Sequence, residues 1–199
     1  MAGLAILIPA AGASRRMHGS DKLLAEVDGQ PLLRRAAAMA ARTGERVIVT
    51  LPESGPSAPG RRAALIGLPL QIVPVADAHD GFSASLRAGA DHAGPVEGLM
   101  VLMPDMPDIE REDLTLLIAA FAEDPTRPLR AATETGVEGH PVIFPRRLLQ
   151  ELRVLTGDRG ARVVLEGESV RTCTLPGDRA ILDLDTPEDW DAWRRRHED

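Results

Sequence analysis

Short apolar runs alternate along the chain with segments of helical periodicity. The apolar runs predict strands at Leu4–Ile8, Val47–Leu51, Leu70–Val73, Gly98–Leu102, Val142–Phe144, Val170–Thr174 and Ile181–Leu184. The segments between them predict helices at Pro31–Arg42, Ser83–His92, Arg111–Glu123, Pro145–Arg153, Arg159–Glu166 and Pro187–Arg196. Pro52–Gly60, rich in Pro, Ser and Gly, is interpreted as a surface loop. This alternation is typical of a three-layer α/β/α protein with a mostly parallel sheet covered by helices on both faces.

Length and composition narrow the class of protein. The 199 residues contain no internal repeat and predict a single domain over residues 1–199. A formal net charge of −7 argues against nucleic acid as a partner. We expect a cytoplasmic protein with no membrane partner, because no apolar run approaches the ~20 residues of a membrane span and no secretory-signal pattern opens the chain. The single cysteine, Cys173, excludes an internal disulfide and a multi-cysteine metal site.

The first predicted strand ends in a run of small and basic residues. It reads Pro9-Ala10-Ala11-Gly12-Ala13-Ser14-Arg15-Arg16-Met17, and Lys22 follows five residues later. Small residues leave main-chain N–H groups uncovered, and nearby cations neutralise charge, so the run suits a ligand that carries several phosphates. The spacing is neither that of the Rossmann glycine motif nor that of the P-loop. An ordinary turn with solvated arginines is the alternative interpretation.

Acidic residues follow two later strands. Asp105 lies between prolines in Met103-Pro104-Asp105-Met106-Pro107, and Asp185 follows the predicted strand Ile181–Leu184. Asp183 interrupts the apolar pattern of that strand and shares its side with Asp185. Because ligands bind beyond the carboxyl ends of strands in open parallel sheets, we expect these acids to face the basic run. The sequence therefore predicts a Mg2+ site formed by Asp105 with Asp183 or Asp185.

Helix and turn capping is the competing explanation for these acids. Asp185 is a possible N-cap of the last helix, and Asp105 could cap a turn beside proline. Thr186 competes for the N-cap position, because it would place Pro187 at the first helical position, where proline is favoured.

A series of short motifs stands in order along the chain. They are Ala10-Ala11-Gly12-x-Ser14-x-Arg16-Met17, Lys22-Leu23-Leu24, Gly29-x-Pro31-Leu32-Leu33, Gly81-Phe82-Ser83-Ala84-Ser85-Leu86, Asp105-Met106-Pro107, Gly139-His140-Pro141, Leu155-x-Gly157-Asp158-x-Gly160-Ala161-Arg162 and Asp183-Leu184-Asp185-Thr186-Pro187-Glu188-Asp189. The ordered set resembles the MobA-like nucleotidyltransferases, which include the enzymes that attach CMP or GMP to the molybdenum cofactor. The later motifs look most like the molybdopterin cytidylyltransferase branch. The longer spacing from Met17 to Lys22 is similar to the guanylyltransferase branch instead.

The resemblance implies a Rossmann-like nucleotidyltransferase fold and a reaction. A nucleoside monophosphate, CMP from CTP or GMP from GTP, would move onto the phosphate of molybdopterin with release of pyrophosphate, and a molybdoenzyme or its chaperone would be a further partner. The implied catalytic residues are Arg16, Lys22 and Asp105. The implied nucleotide and acceptor contacts are Ala10, Ala11, Gly12, Ala13, Ser14, Arg15, Lys22, Ser83, Ser85 and His140, with His140 on the acceptor side. The implied cofactor is Mg2+, held by Asp105, Asp183 and Asp185.

Four other functions remain open at this stage. The acceptor could be a sugar phosphate or another phosphorylated metabolite, and the transferred group could be GMP. Asp183-Leu184-Asp185 also matches the Asp-x-Asp pattern of nucleotide-sugar glycosyltransferases. A non-catalytic carrier of the cofactor is the alternative from a different class, and it would tolerate Asp105→Asn.

Overall fold

The computed structural model describes residues 3–12, 21–78, 81–157 and 160–197. Its strands are β1 (Leu4–Pro9), β2 (Glu26–Val27), β3 (Gln30–Pro31), β4 (Arg46–Pro52), β5 (Gln71–Val75), β6 (Gly98–Val101), β7 (Leu129–Ala132), β8 (Glu138–Pro145) and β9 (Arg171–Thr174). Its α-helices are α1 (Leu32–Ala41), α2 (Ser57–Ala64), α3 (Phe82–His92), α4 (Arg111–Glu123), α5 (Leu149–Arg153), α6 (Arg162–Leu165) and α7 (Pro187–His197). Short 3-10 turns occupy Lys22–Leu24 and Arg146–Leu148.

Within the described ranges, seven strands form one sheet in the order β5-β4-β1-β6-β8-β7-β9. The pairs β1–β4, β1–β6, β4–β5 and β7–β9 are parallel, whereas β8 runs antiparallel to both β6 and β7. The strands β2 and β3 pair separately as a small antiparallel hairpin. The predicted fold class, a mostly parallel sheet within a three-layer α/β/α protein, is therefore confirmed.

The core divides into two layers because successive residues of a strand point to opposite faces. Leu4, Ile6 and Ile8 pack with residues of α1 and α4, while Ala5 and Leu7 pack with residues of α3 and α5. On the second face the helix comes very close to the sheet: a Cβ at Gly89 of α3 would lie 2.3 Å from the side chain of Leu7. A third cluster joins α7 to the β2–β3 hairpin.

Three predictions of local structure are wrong. Ile181–Leu184 is not a strand but an irregular segment, although its alternation survives: Leu182 and Leu184 are buried against the tryptophans of α7. The predicted loop Pro52–Gly60 contains the start of α2, and the short β7 was missed. Pro59 and Gly60 in its first turn give α2 a poor helix signal, and four residues are too few for β7 to show a clear alternation.

Two further helices are shorter than predicted. Only Leu149–Arg153 of Pro145–Arg153 is α-helical, and α6 covers Arg162–Leu165 of the predicted Arg159–Glu166. In the described part of the chain, no helix combines the length and apolar character needed to cross a membrane.

Candidate functional site

Lys22 forms the centre of the candidate site. It begins the 3-10 turn that follows residues 13–20, and the side chain of Asp21 caps this turn by accepting from Leu23 N at 3.1 Å. Lys22 Nζ donates hydrogen bonds to Asp105 Oδ2 and to Asp185 Oδ1, both at 2.5 Å. Burial alone would lower the pKa of Lys22, but the two carboxylates outweigh it and raise this pKa above its ordinary value. The side chain is therefore held as an ammonium.

Three carboxylates meet at this point. One oxygen from each of Asp105, Asp183 and Asp185 lies within 4.8 Å of the others. Asp105 is buried, and its Oδ1 atom has no hydrogen-bond partner among the residues that the structure describes. Partial burial and the negative charges of Asp105 and Asp185 raise the pKa of Asp183. Because an unpaired buried carboxylate oxygen is unfavourable, this donor set fits a cation in addition to Lys22.

The sheet topology explains why these residues meet. Parallel pairing puts the carboxyl ends of β1 and β6 at one edge, so the chain that follows β1 and the Asp105 turn are neighbours. The antiparallel strand β8 begins at the same edge, because Val142 pairs with Val101 near the end of β6. The start of β8 therefore lies at the same edge as the carboxyl ends of β1 and β6.

The segment that carries Asp183 and Asp185 is docked at two points. Leu184 N donates to the Asp105 carbonyl at 3.0 Å, and His140 N of β8 donates to the Ala180 carbonyl at 2.7 Å. A Cβ on Gly139 would lie 1.8 Å from that Ala180 oxygen, so only glycine allows this approach. Gly139 thus controls how closely the two acids approach Asp105.

Thr186 is the N-cap residue of α7, which begins at Pro187 as predicted. Asp189 N donates to Thr186 Oγ1 at 3.2 Å, and Thr186 N and Oγ1 both donate to Asp189 Oδ2 at 2.8 Å. This reciprocal arrangement satisfies the first turn of the helix. The side chain of Asp185 is therefore not needed as the cap and remains directed to Lys22.

The first loop is described only in part. Ala10 and Ala11 are buried beyond the end of β1, and Ala10 N donates to the Thr50 carbonyl at 3.0 Å. Gly12 is exposed, and apart from its chain neighbours no atom of the described residues lies within 4 Å of the place that a Cβ would take. The other predicted contacts of this loop, Ala13, Ser14, Arg15 and Arg16, lie outside the described residues, so their roles stay predictions.

Arg61 of α2 contacts this loop, and sequence reasoning missed it. Its side chain is 0% exposed and donates to the carbonyls of Ala10 and Gly12 and to the carboxylate of Asp21. No signal in the sequence distinguishes it from the exposed Arg62 beside it. A buried charge of this kind becomes recognisable only once its partners are known.

Ser83 and Ser85 are buried near the start of α3. Neither is the N-cap, because Gly81 occupies that position without a side-chain hydrogen bond. Ser83 Oγ instead donates to the Gly157 carbonyl at 2.5 Å and so ties α3 to the segment before α6. Contact of either serine with a nucleotide remains a prediction.

His140 lies in the wall between two cavities. One, of about 290 Å³, is also lined by Asp105 and Asp183; the other, of about 450 Å³, is also lined by Phe82 and Gly160. Burial and then the charge of Arg130 lower the pKa of His140 to about 4, so the ring is neutral at pH 7. Its Nδ1 atom is buried and has no hydrogen-bond partner in the described part of the chain. The predicted acceptor-side residue therefore adjoins the acid cluster.

The chain is similar to proteins of one enzyme family. Residues 6–173 match the model of the MobA-like NTP transferase domain. Among curated proteins, it is 27% identical to the purine catabolism protein PucB of Bacillus subtilis (strain 168), over 94% of this chain and 93% of that protein. It is 30% identical to the molybdenum cofactor guanylyltransferase of Pseudomonas aeruginosa (strain PAO1), over 92% of this chain and 90% of that one.

Two solved structures superpose on nearly the whole of this chain. Rv0371c from Mycobacterium tuberculosis H37Rv superposes with a TM-score of 0.80 at 28% identity, covering 99% of both chains. The complex of Rv0371c with manganese superposes with a TM-score of 0.75 at 27% identity, covering 100% of this chain and 99% of that one.

Proposed function

The chain belongs to the MobA-like NTP transferase family and is a nucleotidyltransferase; we propose that it moves CMP from CTP onto the phosphate of molybdopterin and releases pyrophosphate. The observation that carries this proposal is the junction of Lys22 with Asp105 and Asp185, next to Asp21, which Arg61 ties to the Gly12 carbonyl. Three carboxylates outnumber the single ammonium, so the site suits a substrate that brings several phosphates together with a divalent cation.

In the proposed reaction an oxygen of the acceptor phosphate attacks the α-phosphorus of CTP. The bond from that phosphorus to the oxygen bridging to the β-phosphate breaks, and its electron pair leaves with pyrophosphate. Because the acceptor phosphate is already anionic near neutral pH, no strong general base is required. Catalysis then consists mainly of positioning and charge stabilisation.

Lys22 would supply one part of that stabilisation. An ammonium has three N–H donors, and two of them are directed to Asp105 and Asp185. The third is available for a phosphate oxygen of the departing pyrophosphate. The two carboxylates fix the direction of this third donor, because Lys22 is otherwise a flexible side chain.

The acids fit a divalent cation, for which Mg2+ is proposed. The Oδ1 atom of Asp105, which has no hydrogen-bond partner among the described residues, would hold it together with the oxygens of Asp183 and Asp185. When bound, the ion would neutralise charge on the α-phosphate. The manganese complex of the similar Rv0371c supports a divalent ion in this fold.

The acceptor is placed by this proposal on the His140 side. His140, Arg130 and Glu138 line both cavities on this side. The side chains of Arg130 and Glu138 form an ion pair at 2.9 Å. Since the imidazole is neutral, His140 would line the acceptor cavities without binding the acceptor phosphate as a cation. The nucleotidylated product must then reach an apo-enzyme, so a molybdoenzyme or its chaperone is the proposed partner.

Guanylyl transfer is the second candidate. The Pseudomonas aeruginosa relative is named a molybdenum cofactor guanylyltransferase, and the spacing from Met17 to Lys22 is similar to that branch. Both observations concern only which nucleotide is transferred. The proposed acceptor and the transfer of a nucleoside monophosphate onto its phosphate stay the same.

The test is to incubate the purified protein with molybdopterin, Mg2+ and each of the four nucleoside triphosphates in turn, following pyrophosphate. We expect release with CTP. Release with GTP alone would replace the first proposal with the second, and release only with a sugar 1-phosphate as acceptor would overturn molybdopterin. Asp105→Asn should abolish turnover; a carrier that binds the cofactor and releases no pyrophosphate would contradict the enzymatic proposal.

A further inference from the structure

We infer that Arg61 is a positioning residue for the triphosphate end of the site, setting the distance between the backbone at Gly12 and the ammonium of Lys22. The inference rests on the proposed function and adds to it a residue on a separate helix, α2, whose hydrogen bonds reach the loop backbone and Asp21. Arg61 would act through Asp21 and the loop backbone and would itself touch no substrate.

The contacts of Arg61 join two parts of the chain that flank residues 13–20. Its Nη1 atom donates to the Ala10 carbonyl at 2.7 Å and to the Gly12 carbonyl at 2.8 Å. Its Nε and Nη2 atoms donate to Asp21 Oδ2 at 2.7 Å and to Asp21 Oδ1 at 2.9 Å. One planar guanidinium therefore fixes Gly12 and Asp21 relative to each other, using the two-pronged geometry that lysine lacks.

These contacts position two groups at the nucleotide side of the site, the Lys22 ammonium and the Ala11 N–H. Asp21 Oδ1 also accepts from Leu23 N and so starts the turn whose first residue is Lys22. On the other side, the carbonyl of a trans peptide and the next N–H point in opposite directions. Because the Ala10 carbonyl faces Arg61, the Ala11 N–H is directed away from it. Arg61 thus orients both the cation and the amide of Ala11, a residue that the family resemblance implies as a nucleotide contact.

The burial of Arg61 supports a specific role for its charge. The side chain is fully buried, and removing a charged group from water is expensive unless its hydrogen bonds are well formed. The neighbouring Arg62 on the same helix is exposed. An apolar residue at position 61 could fill the same space, but it would leave Asp21 and two carbonyls without the donor that orders them.

The decisive measurement is nucleotide affinity, because a residue that only stabilised the fold would leave it unchanged in the folded protein. We would titrate CTP analogues with a non-hydrolysable α–β bridge into the protein with Mg2+, at a temperature where circular dichroism shows each variant folded. Arg61→Lys keeps the charge without the two-pronged geometry, and Asp21→Asn removes the charge that it binds. Arg62→Met is the matched control.

We expect Arg61→Lys and Asp21→Asn to raise the Kd for the nucleotide by about 10- to 100-fold. In these two variants the KM for CTP should also rise, while the KM for molybdopterin stays at the wild-type value. Arg62→Met should keep the wild-type Kd for the nucleotide. Wild-type nucleotide affinity in both Arg61→Lys and Asp21→Asn would overturn the role of Arg61. If the unaltered protein binds no triphosphate at all, the proposed function fails, which is a distinct result.

Discussion

Lys22 and Asp105 lie 83 residues apart in the chain, yet Lys22 Nζ donates to Asp105 Oδ2 at 2.5 Å. Asp185, from a third part of the chain, accepts from the same nitrogen at the same distance. One ammonium therefore joins the chain that follows β1, the turn after β6 and the segment before α7. This arrangement links the chemistry of the site to its folding, because each partner is costly to bury without the others.

The first prediction concerns that ammonium. Lys22→Met keeps most of the apolar stem but removes the charge proposed to stabilise the departing pyrophosphate, so kcat should fall by roughly 10²–10³-fold. Pyrophosphate release with CTP and molybdopterin measures the effect. The exposed Arg195 of α7 provides a control as Arg195→Met, which should retain wild-type kcat. A Lys22→Met variant with wild-type kcat would contradict the assignment.

The second prediction concerns the divalent ion. At a concentration of Mg2+ or Mn2+ that exceeds the Kd a hundredfold, binding to the folded state should raise the Tm by about 5–10 °C relative to EDTA. Asp105→Asn should abolish this rise, because it removes the negative charge and leaves one side-chain oxygen to serve both Lys22 and the ion. Asp183→Asn and Asp185→Asn, tested separately, identify which of the two completes the site.

Glu188→Gln is the control for this experiment, since Glu188 is exposed and lies three residues beyond Asp185. It should keep the full rise in Tm. If neither Mg2+ nor Mn2+ changes the Tm of the unaltered protein at any concentration, the three acids are not a metal site.

Much of the fold was predictable because its signals are local. The continuous apolar run of β1 and the cap of α7 depend on neighbouring residues, so the sequence displays them directly. The acids were found by asking which polar residues follow strands, and that rule located Asp105 correctly. It located Asp185 for a partly wrong reason, because Ile181–Leu184 is not a strand.

The features that could not be predicted depend on contacts distant in sequence. In the sequence Arg61 cannot be distinguished from its exposed neighbour Arg62, because its partner Asp21 lies 40 residues earlier. Gly139 likewise has no sequence signal for its close contact with the Ala180 carbonyl. The direction of β8 is equally hidden, and only because this strand is antiparallel does its beginning bring His140 to the edge where Asp105 lies.

The third prediction concerns Gly139. In Gly139→Ala the new Cβ would overlap the Ala180 carbonyl oxygen, so the segment carrying Asp183 and Asp185 must move away from β8. We expect the free energy of unfolding to fall by about 1–3 kcal/mol, together with a smaller rise in Tm on adding Mg2+. Urea unfolding and the Tm measured with Mg2+ and with EDTA test both effects.

Val137→Ala, at a half-exposed position just before β8, is the control and should preserve the Mg2+ response. A Gly139→Ala protein that loses stability but keeps the full Mg2+ response would show that the close approach at Ala180 does not set the positions of the acids.

The fourth prediction concerns pH and His140. Its pKa is lowered from 6.5 to about 4 in the folded protein, first by burial and then by Arg130. The unfolded chain therefore takes up a proton on this ring below about pH 6.5, whereas the folded protein does not until about pH 4. The contribution of the neutral ring to stability is fully present above pH 6.5 and is lost as the pH falls toward 4, by on the order of 3 kcal/mol in total.

Urea unfolding of His140→Gln and of the unaltered protein at pH 7, 6, 5 and 4.5 isolates this contribution, because all other titrating groups are common to both. The free energy of unfolding should fall less steeply with decreasing pH in the variant. His140→Phe also lacks a titrating ring but differs in shape, so it should show the same shallower slope even if its stability at pH 7 is different. Equal slopes in all three proteins would mean that His140 is protonated as readily in the folded protein as in the unfolded chain. The neutral ring proposed for the acceptor side would then be wrong.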